Sequence, residues 1–406
     1  MDCGRRTSRV WWQPLQNEVR PPATNGPGRR VWWGHDSHEV TSMSVSSQQG
    51  DNPIRLAAVQ AASVFLDRDA SLEKAYAIIK EAASHGANVI AFPEGFIPGH
   101  PVWFHFRPAS DRDSLALGAR LSENALELGG PEIAKLCSMA AQYSVFLVMG
   151  CCERAPARPG TLYNTLVFIS PDGNVVGRHR KLIPTLGEQI VHAAGDATGL
   201  RTYEFRSGGH VSGLMCGENS NALATFALDA QAANIHVAAW PPFFQMGADL
   251  PDIIRMVSRG LAYQMKAFVI NSAGAVSEEM CRDLPITDEQ RAFMRTKSGG
   301  ACVIGPWGQV LTEDLGQGEG IAYANASLKD ITVPKIVHDF GGRYNRFDLL
   351  RLDMSRGSYG PVLVSGQSMS ADRDAADGPG YETSFAIGLQ GDDEEGAQAR
   401  LVLGHE

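Results

Sequence analysis

Apolar positions keep a readable period from residue 54 onward. Residues 54–62 are mostly apolar over the length of one strand, the pattern of a strand covered on both faces. Leu72, Ala75, Tyr76, Ile79, Ala82 and Ala83 then recur at helical spacing, and Gly86 stands where such a helix stops. Residues 88–92 read as a second buried strand. Pro131 opens a helix with Ile133, Leu136, Cys137 and Ala140 on one face, and 145–151 follows as a strand. Residues 162–169 and 174–180 are two strands joined by Ser170-Pro171-Asp172-Gly173, residues suited to a tight turn.

The pattern continues with a strand at 211–215, a helix at 223–233 and a strand at 235–240. A helix at 252–265 and a strand at 268–270 come next. Residues 301–304 and 310–313 flank Gly305-Pro306-Trp307-Gly308 and read as a hairpin. Strands alternating with helices early, and hairpins intruding later, predict a sheet-rich α/β layer fold with a single large domain.

Both ends differ from this middle. Residues 1–50 mix Arg, Pro, Gly, Ser and Gln, repeat Arg-Val-Trp-Trp at 9–12 and 30–33, and carry no period, so a disordered extension is expected. Met43 is the more natural start. Arg5-Arg6 lacks the continuous apolar stretch of an export signal, so export is not expected. Residues 356–406 turn Gly-, Ser- and Asp-rich and read as a mostly flexible acidic tail. The folded domain is therefore expected over 51–355.

Composition narrows the classes. A chain of 406 residues, 44% hydrophobic and 20% charged, has the make-up of a globular protein. A formal net charge of -9 and the absence of a long basic stripe argue against nucleic acid as partner. No apolar run approaches the ~20 residues a membrane span needs. Seven cysteines with no C-x-x-C spacing read as reduced thiols in the cytoplasm, and the histidines lack metal-ligand spacing.

Three short segments carry candidate chemistry. Glu94 follows a buried strand between apolar neighbours, where desolvation raises a carboxyl toward the range of a general base; a capping or solvated Glu is the ordinary alternative. Lys181 ends a strand in His179-Arg180-Lys181-Leu182, and an inward ammonium there can stabilise developing negative charge; a solvent-facing basic cluster is the commoner arrangement. Glu188 lies seven residues on, in what could be an ordinary loop. Cys216 sits at a strand-to-helix turn in Met215-Cys216-Gly217-Glu218-Asn219, where backbone N–H groups and a helix start can favour thiolate; a buried structural Cys is the usual alternative. Cys151 and Cys152 close a strand and show no polar constellation in the sequence.

The order Glu94, Lys181, Cys216, each at a strand end, resembles the nitrilase superfamily of carbon–nitrogen hydrolases. Arg55-Leu56-Ala57-Ala58-Val59-Gln60, Phe92-Pro93-Glu94, Tyr163-Asn164-Thr165, His179-Arg180-Lys181-Leu182 and Cys216-Gly217-Glu218-Asn219 carry the likeness from about residue 54 to 352. Phe96-Ile97-Pro98-Gly99-His100-Pro101, the run from Lys181 to Glu188, and His338-Asp339-Phe340 through Asp348 are similar to the nitrilase branch. The resemblance implies a four-layer-forming α-β-β-α sandwich and a Glu–Lys–Cys triad on Glu94, Lys181 and Cys216, with Glu188 as an added catalytic-site carboxylate. It implies no metal or organic cofactor, a small nitrile as substrate, and self-association to a back-to-back dimer or a larger spiral. Hydrolysis of a nitrile to acid and ammonia through a Cys thioimidate and thioester is the expected reaction. The alternatives are an amidase or a cyanide-converting enzyme on the same scaffold and, more remotely, a non-catalytic assembly protein.

One departure from the branch concerns the residue after the nucleophile, Trp in many nitrilases and Gly217 here. A roomier pocket is expected, lined by Trp103, Phe104, Gly217, Glu218, Asn219 and Phe243.

Overall fold

The computed structural model describes residues 53–355 apart from residues 157, 206–208 and 245–248. The expected N-terminal extension, including Met43, and the acidic tail lie outside the described residues.

Among the described residues eleven strands join one sheet: β1 (Ile54–Ala61), β2 (Val89–Ala91), β3 (Phe146–Arg154), β4 (Leu162–Ile169), β5 (Val175–Arg180), β6 (Tyr203–Phe205), β7 (Gly209–Met215), β8 (Ile235–Trp240), β9 (Phe268–Gly274), β10 (Cys302–Ile304) and β11 (Gly320–Ala326). Their order is β5-β4-β3-β2-β1-β9-β8-β7-β6, with β10 added to β9 and β11 to β1. The sheet forks at β1, whose residues 54–60 pair with β11 while only Gln60 and Ala61 reach β9. Its two halves then face each other. The Phe168 ring lies 4.5 Å from that of Tyr203, and Phe146 meets Phe205 edge-on at 5.7 Å. A side chain at Gly213 on β7 would press on Phe168 and Leu166 of β4. Aromatic rings from one half thus fill the gap opposite the other, as in a β-sandwich core.

Among the described residues eight α-helices accompany the sheet: α1 (Arg68–Ser84), α2 (Arg112–Asn124), α3 (Pro131–Tyr143), α4 (Ala222–Asp229), α5 (Leu250–Met265), α6 (Glu278–Asp283), α7 (Asp288–Arg295) and α8 (Thr332–Val337). Asp67 caps α1 by accepting the Ala70 N–H, and the helix ends just before Gly86, whose φ is +78°. Leu72, Ala75 and Ile79 of α1 join Ile133, Leu136 and Ala140 of α3 over Ala57, Ile90, Leu147 and Val167 of the sheet. On the other half Leu228 of α4 and Ile254 and Leu261 of α5 share a core with Val237 and Ile270. Each such large side chain contributes about 1.5–3 kcal/mol by leaving water. The result is the α-β-β-α sandwich that the resemblance implied.

Several elements depart from the sequence expectation. Residues 310–313 form no strand, but the hairpin keeps its turn: Ile304 bridges Val310, the Gly305 N–H donates to the Gln309 carbonyl at 2.9 Å, and the Leu311 N–H donates to that of Val303 at 2.8 Å. The strand of this region, β10, pairs antiparallel with β9, and the next strand along the chain, β11, pairs with β1. The helix expected over 223–233 stops at Asp229, and the chain turns through Ala232 at φ +58° before β8.

Strand direction decides where chemistry can gather. β2 and β3 run parallel to β1, as do β9, β8 and β7 through successive pairings. β5 is antiparallel to β4, itself antiparallel to β3, so β5 runs the same way. The carboxyl ends of β2, β5 and β7 therefore open on one rim, the usual place for a site in an α/β sheet.

Candidate active site

Glu94 follows β2, Lys181 follows β5, and Cys216 follows β7, so all three stand on that rim. The Glu94 loop crosses β3 at Gly150, where any side chain would sit 2.0 Å from the Pro93 carbonyl oxygen; only glycine lets the loop pass. The Glu94 N–H donates to the Trp240 carbonyl on β8 at 3.2 Å, tying the loop to the other half of the sheet. Glu188 lies in the 3-10 turn Leu186–Ile190 after Lys181, and the Thr185 N–H donates to its Oε2 at 2.9 Å.

The Lys181 ammonium bridges the two carboxylates, 2.7 Å from Oε1 of Glu94 and 2.6 Å from Oε2 of Glu188. Asn164 on β4 donates through Nδ2 to Oε1 of both, each at 2.7 Å. All four side chains are buried. Charge is therefore shared unequally. Burial, with Glu188 nearby, pushes the Glu94 carboxyl up to about 7 against the pull of Lys181. Burial acts on Glu188 in the same direction, but the hydrogen bond from His192 and the Lys181 charge hold it far below the usual carboxylate range. Burial alone would lower Lys181, yet Glu94, Cys216 and Glu188 around it keep the ammonium well above its ordinary value.

Cys216 opens the 3-10 turn Cys216–Ser220 with φ +49°, a left-handed conformation uncommon for a residue with a Cβ. Burial pushes its thiol up to about 12, reinforced by Glu94; Lys181 and the Gly217 N–H pull the other way without prevailing. This corrects the sequence expectation of a thiolate favoured by a helix start. The resting thiol is protonated, so a base must take its proton during attack.

Around this group stand residues that sequence reasoning did not single out. Asn164 is one, although its stretch carried the resemblance. His192 is another: Nδ1 lies 3.1 Å from Oε1 of Glu188 and Nε2 lies 3.4 Å from the Cys152 sulfur. Cys152 thus has a polar neighbour after all. His100, in the loop after Glu94, brings a ring nitrogen within 4.8 Å of carboxylate oxygens of Glu94 and Glu188. Two carboxylates and an imidazole could hold a cation; the Lys181 ammonium already stands between the two carboxylates, and Nδ1 of His100 has no hydrogen-bond partner among the described residues.

The expected pocket residues scatter. Gly217 is exposed, and a side chain built there meets nothing within 4 Å, so the space at this residue is open. Glu218 and Asn219 face inward and brace the turn. Glu218 accepts N–H groups of Leu182 at 2.7 Å and Met215 at 3.0 Å, with Nε2 of His179 at 3.0 Å. Asn219 donates to the Cys216 carbonyl at 3.0 Å, and its Oδ1 meets Nε2 of His236 at 2.9 Å. Phe243 is fully buried against Phe106 and Phe293 in a separate core. Trp103 and Phe104 wall a cavity of about 510 Å³ with Arg107, Leu115, Ile190 and Val191, and none of Glu94, Lys181, Glu188 or Cys216 lines it.

The family model described as carbon–nitrogen hydrolase matches residues 55–334. A protein named nitrilase 2, from an unknown prokaryotic organism, is 38% identical over 305 residues, covering 75% of this chain and 93% of its own. An aliphatic nitrilase of Rhodococcus rhodochrous is 34% identical, covering 76% of this chain and 81% of its own. An arylacetonitrilase of Hypocrea virens is also 34% identical, covering 75% and 93%. Among solved structures, Nit3 of Saccharomyces cerevisiae, a member of branch 10 of the nitrilase superfamily, has a TM-score of 0.56 at 18% identity. The match covers 73% of this chain and 98% of that one.

Proposed function

Because the chain belongs to the carbon–nitrogen hydrolase family, within its nitrilase branch, we propose that it hydrolyses a nitrile to the carboxylic acid and ammonia with Cys216 as nucleophile. The observation that carries this reading is the buried ammonium of Lys181 between Glu94 and Glu188, on the rim where the Cys216 thiol stands.

The Cys216 sulfur attacks the nitrile carbon while its proton passes to Glu94, whose pKa near 7 suits a base at neutral pH. Lys181 stabilises the nitrogen as negative charge grows on it, giving a thioimidate. Water adds and ammonia leaves, so a thioester remains; a second water releases the acid and restores the thiol. Glu188, kept ionised, balances Lys181 when Glu94 is protonated. No step calls on a metal or organic cofactor.

Relatives named for aliphatic nitriles and for arylacetonitriles both align with this chain. The open space at Gly217 favours the bulkier, arylaliphatic or branched class. The direct test is ammonia release from phenylacetonitrile, aliphatic nitriles, cyanide and their amides by the native protein and by Cys216→Ala. The native protein should prefer phenylacetonitrile, and the variant should be inactive with unchanged circular dichroism.

Self-association belongs to the same reading. Val333 and Ile336 on α8 are 56% and 60% exposed, and Met256 on α5 is 69% exposed, apolar surface suited to a second copy. Six unpaired cysteines among the described residues support a reducing compartment, the cytoplasm, and no helix there is long and apolar enough to cross a membrane. Sedimentation showing only monomer across a useful concentration range would count against assembly.

A further inference from the structure

Besides Oδ1 of Asn164, two buried polar atoms at the site have no hydrogen-bond partner among the described residues: Oε2 of Glu94 and Nδ1 of His100. Both residues wall one small cavity, together with Ser63, Gly95, Pro242 and Gly274. About 10 Å³ is open there to the centre of a water molecule. A space of that size takes about one water, and such a water needs two to four polar partners. Buried carboxylate and imidazole atoms are rarely left bare, so the walls and the volume ask for the same occupant.

His100 is held in place for this task. Its Cα stands 3.3 Å from where a side chain on Gly95 would begin, and the Phe104 ring meets the imidazole edge-on at 6.0 Å. Its carbonyl accepts the Val102 N–H at 2.8 Å. Burial drives its pKa down to about 3, so the ring is neutral at working pH and has one nitrogen free to accept.

We propose that a water held between Oε2 of Glu94 and Nδ1 of His100 is the hydrolytic water, which makes His100 a further catalytic residue. With the ring proton on Nε2, one O–H of the water points at Glu94 and the other at His100, leaving a lone pair for attack. The oxygen bonds to the thioester carbon as one proton moves to Glu94. The C–S bond then breaks, and that proton passes from Glu94 to the sulfur, so thioester and water become acid and thiol. This rests on the reading of Cys216 as nucleophile and Glu94 as base.

The test turns over phenylacetonitrile with the native protein, His100→Leu, His100→Asn and His100→Gln, quenches with acid in the steady state, and maps adducts by peptide mass. His100→Leu should lose about 10²-fold in kcat, the scale of a positioned proton acceptor. Cys216 should then be found mostly occupied by thioimidate or thioester, and added hydroxylamine should restore turnover as the hydroxamic acid. His100→Asn, whose amide reaches the place of Nδ1, should stay closer to native than His100→Gln, whose amide does not. An unchanged kcat, or a loss of kcat with Cys216 unoccupied, would overturn the proposal. An adduct mapping to a residue other than Cys216 in the native protein would instead overturn the reading beneath it.

Discussion

The Glu218 carboxylate receives the N–H of Leu182 at 2.7 Å, and thereby ties the residue after Lys181 to the turn that begins with Cys216. Its other oxygen holds the Met215 N–H at 3.0 Å, just before Cys216. One side chain thus fixes the spacing between ammonium and thiol. Burial would raise this carboxyl, but His179 and the two N–H groups outweigh it and hold the pKa below the ordinary value. The acid is therefore ionised when it does this work.

Glu218→Gln should separate that role from pocket lining. An amide can accept through one oxygen only and presents its NH2 to an N–H group, leaving a buried donor unsatisfied. Stability should fall by about 2–4 kcal/mol in urea unfolding. Activity should fall on all nitriles alike, because the turn shifts rather than the pocket shape. A variant altered only in substrate preference would return Glu218 to the pocket wall.

Glu94 sets the acid limb of the rate profile. Its pKa of about 7 lies above the usual Glu value, and the base must be ionised to accept the thiol proton. kcat/KM should therefore fall about tenfold per pH unit below ~7, as expected for loss of one essential ionised group. A limb at pH 4–5 would mean that Glu94 is an ordinary carboxylate in the free enzyme.

His236 should make the fold acid-sensitive. Asn219 donates from Nδ2, so its Oδ1 faces Nε2 of His236, which carries the proton; Nδ1 then accepts from Ser212 at 2.9 Å. Burial drives its pKa from 6.5 to about 3. A depressed value means that the neutral ring's stability is present above pH 6.5 and lost as pH falls toward 3. By pH 4.5 the loss is roughly 2–3 kcal/mol at about 1.4 kcal/mol per unit. His236→Gln should flatten that part of the urea midpoint's pH dependence, with the share of His100 remaining. Equal slopes in the two proteins would remove His236 from the acid response.

Gly217→Trp should fold, since a side chain there meets nothing within 4 Å. The ring should fill the space beside Cys216 and depress turnover of phenylacetonitrile more than that of small aliphatic nitriles. Loss of a few buried substrate methylenes, each worth about 0.8 kcal/mol, amounts to one to two orders of magnitude. Equal harm to all substrates would mean that glycine serves the turn alone.

How far the sequence reached follows from how far each signal acts. Glu94 and Cys216 each follow an apolar run, and Lys181 follows the second strand of a hairpin marked by Ser170-Pro171-Asp172-Gly173, so their place on a strand rim is a local property and was legible. The pairing of β11 with β1 spans more than 250 positions and leaves no local trace, whereas the turn through Gly305-Pro306-Trp307-Gly308 is local and was legible even though 310–313 adds no strand. Asn164 and His192 act by direction: the first lies in a stretch that carried the resemblance and the second in an ordinary one, and only the facing of β4 and the turn after Lys181 aims them at the carboxylates. Glu218 and Asn219 sit next to the nucleophile in sequence, yet the left-handed turn at Cys216 points them into the fold.

The most direct measurement on the nucleophile is the mass of peptides from native enzyme quenched in acid during turnover of phenylacetonitrile. The expected adduct, thioimidate or thioester, lies on the peptide bearing Cys216, with Cys151 and Cys152 unmodified. An adduct on Cys152, or full ammonia release by Cys216→Ala, would contradict the assignment.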